Sequence, residues 1–384
     1  MEKYMDFTKL DELLDRLVAW RMPGNACIVI KDGEVVHRYA AGYADIEAGK
    51  KMTGDETYNM WSCSKPITCA AALTLYEKGL YLLDDPLERY MPEFSDMKVK
   101  EKDENGNTVL VPAKNKIKIR DLFSMSTGYN YDINQASIKA IREKTGGRCP
   151  TGDVIREIAK WPLVDEPGTA WNYGLSHDIL AYLVEVVSGM RFNDYVKKAI
   201  FEPLGMEDST YSNPTADLIE RMARQYTYDD DKGRLIPSDN SVSFVFGSQY
   251  DSGGAGLIST VEDYGKFAYA MANGGVGLNG GRILSAGTID LMRSDMMKGK
   301  VMKYFDWMHL YGYSYGLGVR TMVDLAEAGS NGSVGEFGWA GAAGAHVLID
   351  PDRNLAAFYC QHMLNSQEEY FAPRFRNVVY SCID

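Results

Sequence analysis

The sequence has no Cys-x-x-Cys pair; its six cysteines, at positions 27, 63, 69, 149, 360 and 382, are scattered. That spacing argues against a thiolate metal site or a disulfide framework and fits free thiols in a reducing cytoplasm. The five histidines form no His-Glu-x-x-His and no paired Cys/His set, so no metal is expected. No apolar run approaches the roughly 20 residues that a membrane span needs. Basic residues are the minority: 41 Lys and Arg against 53 Asp and Glu leave a net charge of −12, which argues against nucleic acid or an anionic membrane as partner. The opening MEKYMDFTKLDELLDRL is charged throughout and lacks the apolar core of a signal peptide, so a cytoplasmic location is expected. Neither an internal repeat nor a low-complexity linker interrupts the chain.

What is present is an ordinary globular composition, 45% hydrophobic and 24% charged over 384 residues, enough for a large core and two lobes. Residues 8–21 predict an amphipathic helix, with Leu10, Leu13, Leu14, Leu17 and Val18 on one face. Two strands follow, 26–30 and 34–39, joined by Asp32-Gly33. A helix runs to about Leu80, and residues 97–118 form a charged excursion with a second hairpin at Asn105-Gly106. Helical patterns then cover 121–128, 133–160 with a break at Thr145-Gly146-Gly147, 178–187, and most of 191–225. Beyond a tight Gly253-Gly254-Ala255-Gly256 loop come helices at 261–273 and 285–297, alternating strands at 311–322, 345–349 and 355–362, and a last helix over 372–382. Strands at both ends and helices between them predict an α+β fold. One sheet would be assembled from both termini, in a lobe of about 1–61 and 256–384, with a mostly helical lobe of about 62–255 inserted.

Ser62-Cys63-Ser64-Lys65 opens the buried-looking helix. A spacing of three puts Ser62 and Lys65 on one face, and the positive end of the helix dipole beneath Ser62 favours negative charge developing there. A serine hydroxyl is a weak nucleophile until its proton is removed, and a neutral lysine can remove it. Bringing a lysine from about 10.4 to about 7 takes roughly 4–5 kcal/mol. Alone, the same residues equally describe a helix-capping serine and a solvated lysine. Tyr173 follows a Pro167-Gly168 turn, from which its hydroxyl could bond Lys65 or relay a proton; the alternative is a tethered structural tyrosine. Gly338-Trp339-Ala340-Gly341-Ala342-Ala343-Gly344 would let a substrate approach backbone N–H donors closely, or would simply be a glycine-rich turn entering an edge strand. Ser314 sits in a Gly-x-Ser-x-Gly pattern, but the alternation continues through Leu317-Gly318-Val319-Arg320 where a nucleophile elbow needs a helix. Ser64, Cys63, His177 and His346 are read as structural.

With these residues in place the chain resembles the serine β-lactamase and penicillin-binding-protein-like superfamily, in the class C β-lactamase-related branch that includes the family VIII carboxylesterases. The resemblance spans about 20–362 and includes Met22-Pro23-Gly24, Leu83-Asp84-Asp85-Pro86, Ser126-Thr127-Gly128, Pro167-Gly168-Thr169, Gly256 to Thr260 and Tyr315 to Gly318. It implies a β-lactamase/transpeptidase-like fold, an antiparallel sheet flanked by helices. It also implies Ser62 as acylated nucleophile, Lys65 as base, Tyr173 as the tyrosine of Tyr-x-Asn, and an oxyanion hole of the Ser62 and Ala342 N–H groups. Trp339-Ala340-Gly341 would stand where β-lactamases carry Lys-Thr-Gly. The chain departs twice: Leu175 replaces the Asn of Tyr-x-Asn, and Trp339 replaces the cationic lysine. A pocket that loses a cation and gains an indole prefers uncharged apolar groups. The expectation is a serine hydrolase acting on a small ester or amide, foremost an esterase, without cofactor. A β-lactamase, D-aminopeptidase, DD-peptidase or acyltransferase on the same Ser-Lys-Tyr machinery is the alternative. A non-catalytic binding module is the alternative of another class, disfavoured because a binder needs none of the trio. At least one of the segments 97–118 and 226–250 is expected to close over the pocket.

Overall fold

The computed structural model describes residues 5–383; the first four residues of the charged N-terminal opening lie outside them. An eight-stranded sheet runs in the order Tyr313–Tyr315, Arg320–Met322, Phe337–Gly338, His346–Asp350, Leu355–Gln361, Gly24–Lys31, Glu34–Asp45, Lys50–Lys51, all neighbours antiparallel. The two ends of the chain meet at its centre, where Ile28 pairs with Phe358. Gly24–Lys31 and Leu355–Gln361 are buried on both faces, which is why they read as near-continuous apolar runs.

On one face the helices Thr8–Trp20 and Glu368–Ile383 pack Leu13, Leu14, Phe371 and Phe375 against Val29, Leu348 and Tyr359. On the other, Val261–Ala272 sets Tyr264 flat against Phe358, ring centroids 4.2 Å apart. Beyond it lies the helix Ser64–Glu77, buried from Ser64 through Leu75, which packs against Ser176–Ser188. A helix apolar all round belongs in the interior. The arrangement is the expected antiparallel sheet flanked by helices, with a mostly helical stretch between the two sets of strands.

Several local expectations are corrected. Residues 311–322 are a hairpin of Tyr313–Tyr315 and Arg320–Met322, not one strand, because the chain reverses at Gly316-Leu317-Gly318 with Gly318 at φ +90°. The helix expected over 121–128 is Ile119–Phe123; beyond it Met125 is left-handed at φ +54° and the Ser126 hydroxyl donates to Asp121. Helix within 191–225 is one unbroken run over 192–204, widened at 197–201, and the short Ala216–Glu220; the rest is irregular. The helix of 285–297 is Ala286–Met292, capped by the Ser285 side chain. The last helix starts at Glu368 and carries Pro373 inside it. His346–Asp350 is an inner strand, so the glycine-rich turn does not enter an edge. Thr57–Asn59 pairs with Ile258–Thr260, a short ladder that sequence pattern did not show; it brings the turn containing Ser62 against the glycine loop 253–256. No helix among the described residues is long and apolar enough to cross a membrane.

Candidate active site

Ser62 sits in a single tight turn, Trp61–Cys63, directly ahead of the helix Ser64–Glu77. Trp61 holds a left-handed backbone, φ +48°, uncommon for a bulky residue and maintained here by its indole N–H, which donates to Gln225 Oε1 at 2.7 Å. Ser64 ties the turn down: its hydroxyl donates to the Trp61 carbonyl at 2.6 Å and accepts from the Leu257 N–H at 3.0 Å. One helical turn on, Lys65 is fully buried, its Nζ 2.9 Å from Ser62 Oγ and donating to the Gly254 carbonyl at 2.8 Å. The same Nζ stands 4.6 Å above the Tyr173 ring and 5.7 Å from that of Tyr131.

Tyr173 therefore meets Lys65 with its ring face. Its hydroxyl accepts a hydrogen bond from the Trp339 indole at 3.2 Å. Trp339 follows the strand Phe337–Gly338 and packs edge-on against Tyr315, centroids 5.1 Å apart. Gly341 lies so close to the Ser62 turn that an added Cβ would stand 2.2 Å from the Met60 carbonyl oxygen. Ala342 is exposed at the tip of the turn that follows. Among the described residues neither the Ser62 nor the Ala342 N–H donates to a backbone carbonyl.

A cavity of about 820 Å³ opens over these groups; Ser62, Tyr173, Trp339, Gly341 and Ala342 all line it. Leu175 does not. It is fully buried in the core beneath the start of helix Ser176–Ser188, because residues two apart at a helix start face different ways. Neither 97–118 nor 226–250 contributes to the cavity walls. The first is a hairpin, Lys98–Lys102 with Thr108–Pro112, tied to Leu163; the second reaches only the flank, where Phe244 packs on Tyr131 at 4.6 Å.

The covering segment is one that sequence reading passed over. Residues 296–311 strap across the site and place Trp307 edge-on to both Tyr173 and Trp339, at 5.8 and 6.4 Å. Lys300 anchors the strap: its Nζ donates to Ser126 Oγ at 2.8 Å and pairs with Asp121 at 3.5 Å. The density of aromatics in Tyr304-Phe305-Asp306-Trp307 was the available signal. Tyr131 and the Gly254 carbonyl were also missed.

None of the remaining candidates lines the cavity. His177 is buried at 3.0 Å from the Phe123 carbonyl, and burial together with Lys65 brings its pKa down to about 3. His346 lies against Arg320 and Arg376, at 3.2 and 3.4 Å; burial first, and then both cations, disfavour its protonation. Ser314 lies in a strand and donates to Asp295 Oδ1, with a hairpin rather than a helix after it. Cys63 is buried, and burial pushes its thiol up.

The sequence matches the family model described as Beta-lactamase over residues 10–379. Esterase EstB of Burkholderia gladioli is 27% identical over 368 residues, covering 89% of this chain and 86% of that protein. Acyltransferase mokF of Monascus pilosus is 31% identical over 245 residues, covering 63% and 57%. The solved structure of simvastatin synthase (LovD) from Aspergillus terreus superposes with a TM-score of 0.81 at 24% identity, covering 98% of each chain, a likeness of fold.

Proposed function

The chain belongs to the β-lactamase family, and on that premise we propose that it is a serine hydrolase cleaving small esters through an acyl-enzyme on Ser62. The observation that carries the reading is the Ser62–Lys65 pair, 2.9 Å apart at the wall of a cavity that Trp339 also lines. In its neutral form Lys65 donates one proton to the Gly254 carbonyl and keeps its lone pair for the Ser62 hydroxyl. The serine oxygen attacks the ester carbonyl carbon, and the oxyanion is held by the Ser62 and Ala342 N–H groups, which have no backbone acceptor of their own among the described residues. The proton taken up by Lys65 returns to the departing alkoxide; the Tyr173 hydroxyl, which lines the same cavity beside Ser62, is the group in reach of the leaving oxygen to share that transfer, while its ring face packs on the lysine. The Oγ–acyl bond forms as the ester C–O bond breaks. Water then repeats the sequence in reverse and frees the acid and Ser62.

Trp339 acts twice in this reading. It removes the cation that would pair with a carboxylate, favouring uncharged groups, and its N–H steadies the Tyr173 oxygen when that oxygen carries negative charge. Trp339→Phe keeps the ring and deletes the donor. It is expected to lower kcat about 10- to 100-fold with little change in KM, as loss of a hydrogen bond to a charged oxygen does; steady-state kinetics on p-nitrophenyl butyrate checks it.

Acyl transfer to a bulky alcohol is the second reading, favoured by a cavity of about 820 Å³, far larger than a water nucleophile requires. The six cysteines are buried and free, in keeping with a cytoplasmic protein. The deciding experiment compares p-nitrophenyl butyrate with nitrocefin on wild type, Ser62→Ala and Lys65→Ala. Ester turnover that is lost in both variants, with little nitrocefin hydrolysis, is expected; strong nitrocefin turnover would overturn the meaning given to Trp339.

A further inference from the structure

Asp178 is a fully buried carboxylate that the reaction outlined above does not use. It projects from the first turn of helix Ser176–Ser188, five residues after Tyr173. Its Oδ1 accepts two hydroxyl hydrogen bonds, from Tyr250 at 3.0 Å and Ser252 at 2.7 Å. Its Oδ2 is buried and without a full hydrogen bond among the described residues. That oxygen faces Gly254 so closely that a Cβ there would stand 2.6 Å away. The Gly254 N–H helps to hold the carboxylate's charge, and the Gly254 carbonyl accepts from Lys65 Nζ at 2.8 Å. The carboxylate and the lysine thus engage the two polar groups of one residue. The Thr68 hydroxyl fixes the neighbouring Gly253 carbonyl at 2.7 Å, so the loop cannot relax away.

We propose that Asp178 is a positioning residue for the Ser62–Lys65 pair: it orders the loop that receives Lys65, and its negative charge sets how readily Lys65 releases a proton. The proposal rests on the reading of Lys65 as the base. The other titratable groups around the two are Tyr131, Tyr173, Tyr211, Tyr250, Tyr315, His177, Cys63 and Cys69. Burial drives His177 to its neutral form, and raises the tyrosines Tyr131, Tyr211, Tyr250 and Tyr315 and both thiols, which keeps them neutral too. Asp178 is the carboxylate they surround, and Lys65 favours its charged form. Burial raises its own pKa, and the Ser252 hydroxyl, Lys65 and the Tyr250 hydroxyl work against that rise. An anion near an amine favours its charged form, and this coupling is what the test reads.

The test is the pH profile of kcat/KM for p-nitrophenyl butyrate in wild type, Asp178→Asn, Tyr250→Phe and Lys65→Ala. The neutral amine is the active form, so activity rises with pH on the acid limb. Asp178→Asn removes the anion at nearly constant shape, and the acid limb is expected to move to lower pH by about one unit, a displacement that a merely structural role would not cause. Tyr250→Phe leaves the carboxylate less well held and should move the limb in the same direction by less. An acid limb unmoved in folded Asp178→Asn overturns the proposal; should that variant not fold, an unmoved limb in Tyr250→Phe does so. Wild-type activity in Lys65→Ala would instead overturn the reading of Lys65 itself.

Discussion

Ser62→Ala is expected to lower kcat/KM for p-nitrophenyl butyrate by a factor of about 10⁴ or more and to abolish the mass gained from a fluorophosphonate probe. The size follows from what remains: without the hydroxyl no acyl-enzyme forms, and only positioning and the oxyanion donors still act on the substrate. Lys65→Ala should fall to a similar level, because the nucleophile and its base act as one unit. The double variant is therefore expected to be no worse than either single one, since groups acting as a unit are strongly non-additive. The side chains differ in what their loss does to the fold. Ser62 is half-buried at a cavity wall, and its truncation leaves the helix Ser64–Glu77 untouched. Lys65 is fully buried, and its removal leaves the Gly254 carbonyl without its partner, so Lys65→Ala should also melt at a lower temperature. Intact-protein mass spectrometry and a thermal melt on the two variants separate these effects. A fluorophosphonate adduct that persists on Ser62→Ala would move the nucleophile elsewhere and sink the reaction scheme as written.

Much of this was readable before any coordinates. Ser62 and Lys65 are linked by local geometry, since a spacing of three on a helix leaves little freedom, and the apolar strand runs at 26–30 and 355–362 carry their burial in their composition. Trp339 was found because it opens a small-residue stretch ahead of a strand, and the structure puts it on Tyr173. What escaped depends on contacts far apart in sequence. The strap at 296–311 is defined by Lys300 reaching back to Asp121 and Ser126, far away in sequence, and no periodicity announces that. Leu175 was placed at the site by its position in a motif, whereas its side chain is apolar and goes to the core. Asp178 did leave a trace: a carboxylate within the otherwise apolar face of Asp178-Ile179-Leu180-Ala181 has to be hydrogen-bonded inside the protein, and such residues mark places where charge is being managed.

Gly341→Ala is the second variant with a large expected effect, and its cause is steric. Gly341 does not hold a left-handed backbone, so alanine is conformationally acceptable there. Its Cβ, however, would stand 2.2 Å from the Met60 carbonyl oxygen and 3.3 Å from the Ala345 side chain. Met60 is followed by the strained Trp61 and then Ser62, and Gly341 is followed by Ala342. Relief of the clash must separate the two turns whose N–H groups hold the oxyanion in the proposed reaction. Loss or misplacement of one such donor costs about 10²- to 10³-fold in kcat. The expected result is a fall of that order in kcat with KM altered little, since the aromatic walls at Trp307 and Trp339 are untouched. Overpacking should also cost about 1–3 kcal/mol of stability, visible as a melting temperature lower by several degrees. Gly287→Ala serves as the control: an added Cβ there meets nothing within 4 Å, in a helix far from the site in sequence, and should leave both activity and melting temperature at or above wild type. Wild-type kcat in Gly341→Ala would mean that the oxyanion is held by groups other than the Ser62 and Ala342 amides.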